Sequence, residues 1–118
     1  VLVEFGKEAL ECIRKNLEKT KLKDRAVVLP VEVTYGVSKL EKMGQVFDLV
    51  YADPPYKKGF EPKILSILAD SSIVKKGTKV ILETSLDTEP DYIDESRYEL
   101  LKVKKYKTNQ HVFLQVKE

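Results

Sequence analysis

Apolar runs and amphipathic stretches alternate along this chain, and that alternation constrains its fold more than any other feature. VLVEF (residues 1–5) alternates apolar and polar positions and stops at Gly6, the pattern of a short strand. KEALECIRKNLEKTKL (7–22) sets Ala9, Leu10, Ile13 and Leu17 on one stripe with charges elsewhere, which predicts an amphipathic helix. DRAVVLPVEV (24–33) reads as a strand with Pro30 near its end or at an edge. VSKLEKMG (37–44) reads as a short helix closed by Gly44, and VFDLVYA (46–52) as a strongly apolar, buried strand. FEPKILSILADSSIVKKG (60–77) is a further helical segment whose Ile64, Leu65, Ile67 and Leu68 would cover a sheet. TKVILETS (78–85) is another buried strand, and DTEPDYIDES (87–96) is polar loop with room for a turn of helix. RYELLKVKKYKT (97–108) and HVFLQVKE (111–118) read as two strands joined at Asn109-Gln110. The order β-α-β-α-β-α-β-loop-β-β predicts a mostly parallel α/β sheet with helices on both faces and a C-terminal antiparallel hairpin.

The 118 residues suit one domain, and a hydrophobic content of 42% is enough for a core. No apolar run is long enough to span a membrane, and the start VLVEFGKE is no signal peptide, so a cytoplasmic setting without a membrane partner is expected. The single cysteine, Cys12, cannot form an internal disulfide, which fits a reducing compartment. Its place on the helix over 7–22 reads as a small core or boundary position, not a nucleophile. The net charge of +2 does not by itself call for nucleic acid. The lysine clusters at 57–58, 75–76 and 102–107 each read as solvated surface when taken alone. No metal site is expected. His111 is the only histidine; it lies in a terminal strand and reads as structural or surface.

The chemistry concentrates in DLVYADPPYKKG, Asp48 to Gly59. An apolar strand ends at an acid, two prolines and an aromatic. In open α/β sheets ligands sit beyond the carboxyl ends of the strands, where Asp53, Pro54, Pro55 and Tyr56 would lie. The prolines fix φ and donate no hydrogen bond, so the turn is stiff and its carbonyls stay available. The Asp53 carboxylate and the Pro54 carbonyl are then two fixed acceptors, matched to an exocyclic –NH2 with two donor hydrogens. Tyr56 offers a flat face on which the ring bearing that amine can stack.

DPPY resembles the Asp/Asn-Pro-Pro-aromatic motif of S-adenosylmethionine-dependent methyltransferases acting on exocyclic or amide nitrogens. VLVEFGKEALECIRKNLEKTKL, FDLVYADPPYKKG, KVILETS and the closing YELLKVKKYKTNQHVFLQV together are similar to the RsmD-like 16S rRNA guanine-N2 methyltransferases across essentially the whole chain. The resemblance implies a Rossmann-like class I methyltransferase sheet over residues 1–118, with S-adenosylmethionine as cofactor and ribosomal RNA or the small ribosomal subunit as partner. It implies cofactor contacts at Glu4, which would hold the ribose hydroxyls, at Glu32 near the adenine, and at Asp53. Catalysis would rest on Asp53, Pro54, Pro55 and Tyr56, and Tyr56, Lys57 and Lys58 would meet the RNA. VEVTYG departs from the family pattern, with Thr34 where a second acid is frequent.

The family's first strand and its glycine-rich cofactor loop have no counterpart here: Gly6, Gly36, Gly44, Gly59 and Gly77 are isolated. The opening on Val1 rather than Met suggests the C-terminal portion of a longer domain, and the unpaired strand edges that such a piece exposes suggest self-association. Two other readings stand beside rRNA methylation. One keeps the motif and changes the target, to adenine N6 in DNA or a glutamine amide. The other is a catalytically incomplete α/β module that binds RNA or a protein partner.

Overall fold

The computed structural model describes residues 1–55 and 58–117, which fall into two compact units, Val1–Met43 and Gly44 onward. In the first unit, strand β1 (Leu2–Val3) leads into helix α1 (Lys7–Lys19), a 3-10 turn (Lys23–Arg25), strand β2 (Val28–Leu29) and helix α2 (Val33–Lys42). β1 and β2 pair in parallel, Leu2 with Val28 and Val3 with Leu29. Leu10 is buried and Ala9, Ile13 and Leu17 are half-buried, so the apolar stripe of α1 sits as its periodicity requires. Cys12 lies off that stripe and is exposed, not at the core or its boundary as expected.

Both ends of this unit's elements differ from the sequence reading for local reasons. Helix α1 stops at Lys19, not at residue 22, because Lys21 turns left-handed at φ 60°. Leu22 N–H then donates to the Leu17 carbonyl at 2.9 Å and Lys21 N–H to the Glu18 carbonyl at 3.2 Å, which closes the helix in a Schellman motif. The strand expected over 24–33 shrinks to two residues. Pro30 has no N–H for the ladder, and Glu32 starts a helix: its carboxylate accepts from Thr34 N–H at 3.0 Å and from the Thr34 hydroxyl at 3.2 Å. Helix α2 thus begins at Val33, four residues before the expected start, and Gly44 at φ +70° lies beyond its end. Gly36 faces Val3 so closely that a Cβ built on it would stand 2.7 Å from Val3 Cγ1. Only glycine lets this helix lie against β1.

The second unit runs β3 (Leu49–Ala52), α3 (Phe60–Ala69), β4 (Lys79–Thr84), a 3-10 turn (Pro90–Tyr92), β5 (Tyr98–Lys105) and β6 (Gln110–Val116). Its sheet has the order β3-β4-β6-β5; β3 and β4 are parallel, and β6 is antiparallel to both of its neighbours. Period-2 alternation sorts the sheet into two faces. Val80, Leu82, Val112, Leu114 and Val116 are buried, and Leu65 and Leu68 of α3 belong to the same core. Tyr98, 1% exposed, donates its hydroxyl to the Leu65 carbonyl at 2.5 Å. Burial pushes that phenol up to about 12. The other face carries Leu49 and Tyr51, which are 58% and 52% exposed, so β3 is not the fully buried strand its composition suggests.

Helix α3 ends at Ala69, well short of the expected residue 77. Ser71 accepts from Ile73 N–H through its hydroxyl at 3.2 Å, a local bond that competes with helix continuation. The hairpin turn spans residues 106–109, closed by Tyr106 N–H to the Asn109 carbonyl at 2.8 Å. Gln110 is no turn residue. It is 3% exposed in β6 and donates through Nε2 to Thr84 Oγ1 at 3.1 Å and to the Thr88 carbonyl at 2.7 Å.

Two stability outcomes follow from the first unit. Left-handed backbone costs a non-glycine residue about 1–2 kcal/mol, so Lys21→Gly should stabilise the protein, by about 1 kcal/mol after glycine's own entropy is counted, as read by thermal or urea unfolding. Gly36→Ala should cost about 1–3 kcal/mol by overpacking against the stiff Val3 side chain. Adding Val3→Ala should make the pair of changes less costly than the sum of the two singles. An additive pair would show that the contact with Val3 does not limit residue 36.

Candidate active site

Asp53 is the first residue beyond β3, at the carboxyl end of a parallel strand, and is followed by buried Pro54 and exposed Pro55. Tyr56 and Lys57 lie outside the described residues. Lys58 is exposed, and Gly59, at φ +71°, precedes α3. The expected strand-end placement of Asp53-Pro54-Pro55 therefore holds. The glycine supplies the left-handed step that brings the chain into the crossover helix.

The sheet surrounds Asp53 with groups from three strands. Glu83 stands near the carboxyl end of β4, and His111 is its cross-strand partner in β6. Tyr51, two residues before Asp53 in β3, donates its hydroxyl to Glu83 Oε1 at 2.6 Å. His111 Nε2 lies 3.5 Å from that same oxygen and 3.4 Å from the Tyr51 hydroxyl. The Tyr51 and His111 rings meet edge to face at 5.7 Å, and the Tyr106 ring lies tilted against His111 at 4.7 Å. The Glu83 and His111 side chains are 18% and 21% exposed, so their interaction is only partly screened by solvent.

Asp53 titrates above the usual aspartate range. Partial burial is the largest cause; the Glu83 charge and a hydrogen bond between the two carboxyl groups add to it, while His111 pulls the other way. His111, read from the sequence as structural or surface, is therefore part of the motif's electrostatic surroundings. The missed signal is strand order. A hairpin is legible in the sequence, but its second strand docks against β4, and that pairing carries His111 to Glu83.

The two strand-end acids of the first unit have different fates. Glu4 follows β1, and its Oε2 accepts from Phe5 N–H at 2.8 Å and Gly6 N–H at 3.0 Å. Oε1 accepts no hydrogen bond among the described residues, so a carboxylate of fixed orientation keeps one oxygen for a ligand hydroxyl. Glu32 caps α2 with both oxygens. Its geometry is accounted for by the helix it starts, and a sugar or adenine would have to share those oxygens. Among the described residues no group of three or more His, Cys, Asp or Glu could hold a metal ion. No helix there is long and apolar enough to cross a membrane.

Comparison with known proteins bears on the family and the fold. The chain is 34% identical over 78 residues to the uncharacterized methylase RP545 of Rickettsia prowazekii, an alignment that covers 63% of the chain and 32% of that protein. The chain thus spans about a third of the length of this curated relative. A conserved hypothetical protein of Streptococcus pyogenes superposes with a TM-score of 0.81 at 28% identity, over 99% of this chain and 70% of that one. SMU.776, whose crystal structure is a complex with SAH, shares the fold at a TM-score of 0.73 and 11% identity, over 97% of this chain and 38% of its own. The two units, with their parallel pairs and antiparallel hairpin, are those of a class I methyltransferase fold. The family described as Conserved hypothetical protein 95 matches residues 1–116, and this chain belongs to it.

Proposed function

We propose that this chain is part of an S-adenosylmethionine-dependent methyltransferase that acts on an exocyclic amine, guanine N2 of 16S ribosomal RNA. The observation that carries the reading is the position of Asp53. It follows a parallel strand directly, at the end of the sheet where this class of fold binds ligands, and buried Pro54 stiffens the turn behind it. The methylase relative and the SAH complex of SMU.776 support the cofactor, since SAH is what remains of S-adenosylmethionine after methyl transfer. The RsmD-like layout of the motifs supports ribosomal RNA as the substrate.

The residues present fit the cofactor in one respect that the geometry supports. Glu4, pinned by two backbone N–H groups, can accept from a ribose hydroxyl through its open oxygen. When bound, the cofactor would supply an electrophilic methyl group. Asp53 accepts a hydrogen of the target amine, the Pro54 carbonyl takes the second, and together they aim the nitrogen lone pair. Tyr56 is assigned the stacking face for the flipped base, and Lys57 and Lys58 the neighbouring phosphates. Rate then comes from alignment and preorganised charge more than from a strong base.

Single-turnover methyl transfer from S-adenosylmethionine to small-subunit rRNA, on the full-length gene product, tests the reading. Methyl appearing on guanine N2 supports it; methyl on adenine N6 of DNA or on a glutamine amide reassigns the target. Asp53→Ala should lower the rate by about 10²–10³. Glu4→Gln should weaken cofactor binding about tenfold, by loss of a charge-assisted hydrogen bond, with little change in the saturated rate.

Asp53 also gives a pH prediction. A carboxyl whose folded value is raised binds its proton more tightly in the native state, so its contribution favours folding in acid and is lost as pH rises through the raised value. At pH 7 the ionised Asp53, beside Glu83, therefore opposes folding. Asp53→Asn should melt at a higher temperature than wild type at pH 7. The difference should shrink as pH falls through the raised value and be gone once the carboxyl of the unfolded chain is protonated as well. A lower melting temperature at pH 7 would mean that Asp53 is a structural turn residue.

A further inference from the structure

Methylating a neutral amine uses its lone pair to form the N–C bond, which leaves the nitrogen one proton in excess. That proton must leave the site. The route out is a question about this chain's own side chains, and it rests on the methyltransferase reading above.

Strand register builds one route. Tyr51 and Glu83 lie on the same face of adjacent parallel strands, since Tyr51 pairs with Ile81 and Glu83 follows two residues later. Glu83 pairs directly with His111 across the β4–β6 ladder. Tyr51 Oη, Glu83 Oε1 and His111 Nε2 form a triangle with sides of 2.6, 3.4 and 3.5 Å. Asp53 comes two residues after Tyr51, where the β3–β4 register carries it toward Glu83, and the Glu83 charge is among the causes that raise its titration. Lys104 pairs with His111 from β5, its ammonium 5.4 Å from the Tyr106 ring centre, and Tyr106 stacks on the imidazole. Among the described residues, the surrounding strands present these charged and titratable groups near the triangle: Tyr51 and Asp53 from the β3 side, Glu83 from β4, His111 from β6, Lys104 and Tyr106 from the β5 side.

We propose that Glu83 and His111 are positioning residues behind Asp53 that draw off the proton shed by the methylated amine, Asp53 and Glu83 holding it between their carboxyl groups and His111 passing it to solvent. The N–H bond of the methylated amine breaks, its electron pair stays on nitrogen, and the proton bonds to a carboxylate oxygen of the Asp53–Glu83 pair. From Glu83 Oε1 it reaches Nε2 directly, or through the Tyr51 hydroxyl, which gives up its own proton as it takes another. The imidazolium formed faces Glu83, whose negative charge stabilises it, and releases the proton at its partly exposed edge. Such a pair also explains why like charges are kept together at this strand end. Two carboxyl groups in contact favour the singly protonated state, and that state is what accepting the proton produces.

Two readouts test this on the full-length protein. The first is independent of activity: carboxyl carbon NMR of Asp53 is followed through a pH titration in wild type, Glu83→Gln and His111→Gln. Glu83→Gln should move the Asp53 midpoint down, by about one unit, because a like charge is removed and an amide donor gained. His111→Gln should move it up, because the opposing cation is lost. The second is the pH profile of single-turnover methyl transfer, whose acid limb should move in the same two directions. His111→Gln should thus be slowed about tenfold on the acid limb if its midpoint rises by one unit. Should Glu83→Gln fail to fold, Tyr51→Phe replaces it: losing the phenol donor makes Glu83 more basic, and the shared titration should move up. An Asp53 midpoint that ignores the variants, that moves the same way in Glu83→Gln and His111→Gln, or that fails to rise in Tyr51→Phe, overturns the relay. Absence of methyl transfer in wild type would instead overturn the methyltransferase reading, and the NMR titration would still decide whether the three groups share a proton.

Discussion

Strand β4 pairs in parallel on one edge and antiparallel on the other, and the rest of the second unit depends on that mixed pairing. The parallel bond to β3 requires a crossover, which α3 supplies, and so sends the chain through Asp53-Pro54-Pro55 at the sheet's carboxyl end. The antiparallel bond to β6 points that strand the opposite way, so the first residues of β6 lie beside the last residues of β4. Thr84 meets Gln110, and Glu83 meets His111. A one-residue slip in this register would turn Glu83 and His111 toward opposite faces and expose Val112 and Leu114, which are 1% and 0% exposed. The burial of the apolar face therefore fixes the polar cluster on the other.

That cluster works against stability. A carboxyl group beside another carboxyl, partly withdrawn from water, is held in a state the folded protein disfavours at neutral pH. The protein offsets the conflict locally: Tyr51 donates to Glu83, His111 faces it, and the rings of Tyr51 and Tyr106 both contact the imidazole. Arrangements of this kind are expected where charge is used in chemistry, and they contrast with the ordinary exposed pairs of the same unit. Lys75 meets Asp48 at 3.0 Å, and Arg97 meets Asp70 at 2.6 Å, each with at least one well-exposed partner.

What the sequence made legible was whatever its local pattern encodes. The stripe of α1, the alternation of β4 and β6, the glycines beyond α2 and before β4, and the strand-turn context of Asp53 can all be seen within a few residues. Element ends were read too long wherever a side chain intervened: Lys21 in the left-handed region, the Ser71 hydroxyl on Ile73 N–H, the Glu32 carboxylate at the start of α2. The close approach of Gly36 to Val3 and the pairing of β6 with β4 could not be read, because each depends on which distant segment arrives opposite. His111 was misplaced for that reason alone. A lone histidine in a terminal strand carries no local mark of the strand it will face.

The acids at 4 and 32 show the limit of reading chemistry from a residue type at a strand end. Both follow short apolar runs, both precede helices, and both come after strands that pair in parallel with each other. The difference lies in what the carboxylate meets next. Glu4 folds back on the N–H groups of Phe5 and Gly6 through one oxygen, so it is oriented and still has acceptor capacity. Glu32 is followed by a residue with a hydroxyl, Thr34, and the backbone N–H and hydroxyl of that one residue engage both oxygens. A side chain already serving as a helix cap can bind a ligand only by sharing or giving up the bonds that hold its helix end, at about 0.5–2 kcal/mol for a lost cap. A pinned carboxylate with an open oxygen gives up no protein bond. Of two acids with the same sequence signature, the physical argument therefore favours Glu4 as the one suited to a sugar hydroxyl, and it does so from two hydrogen-bond patterns that only the folded chain displays.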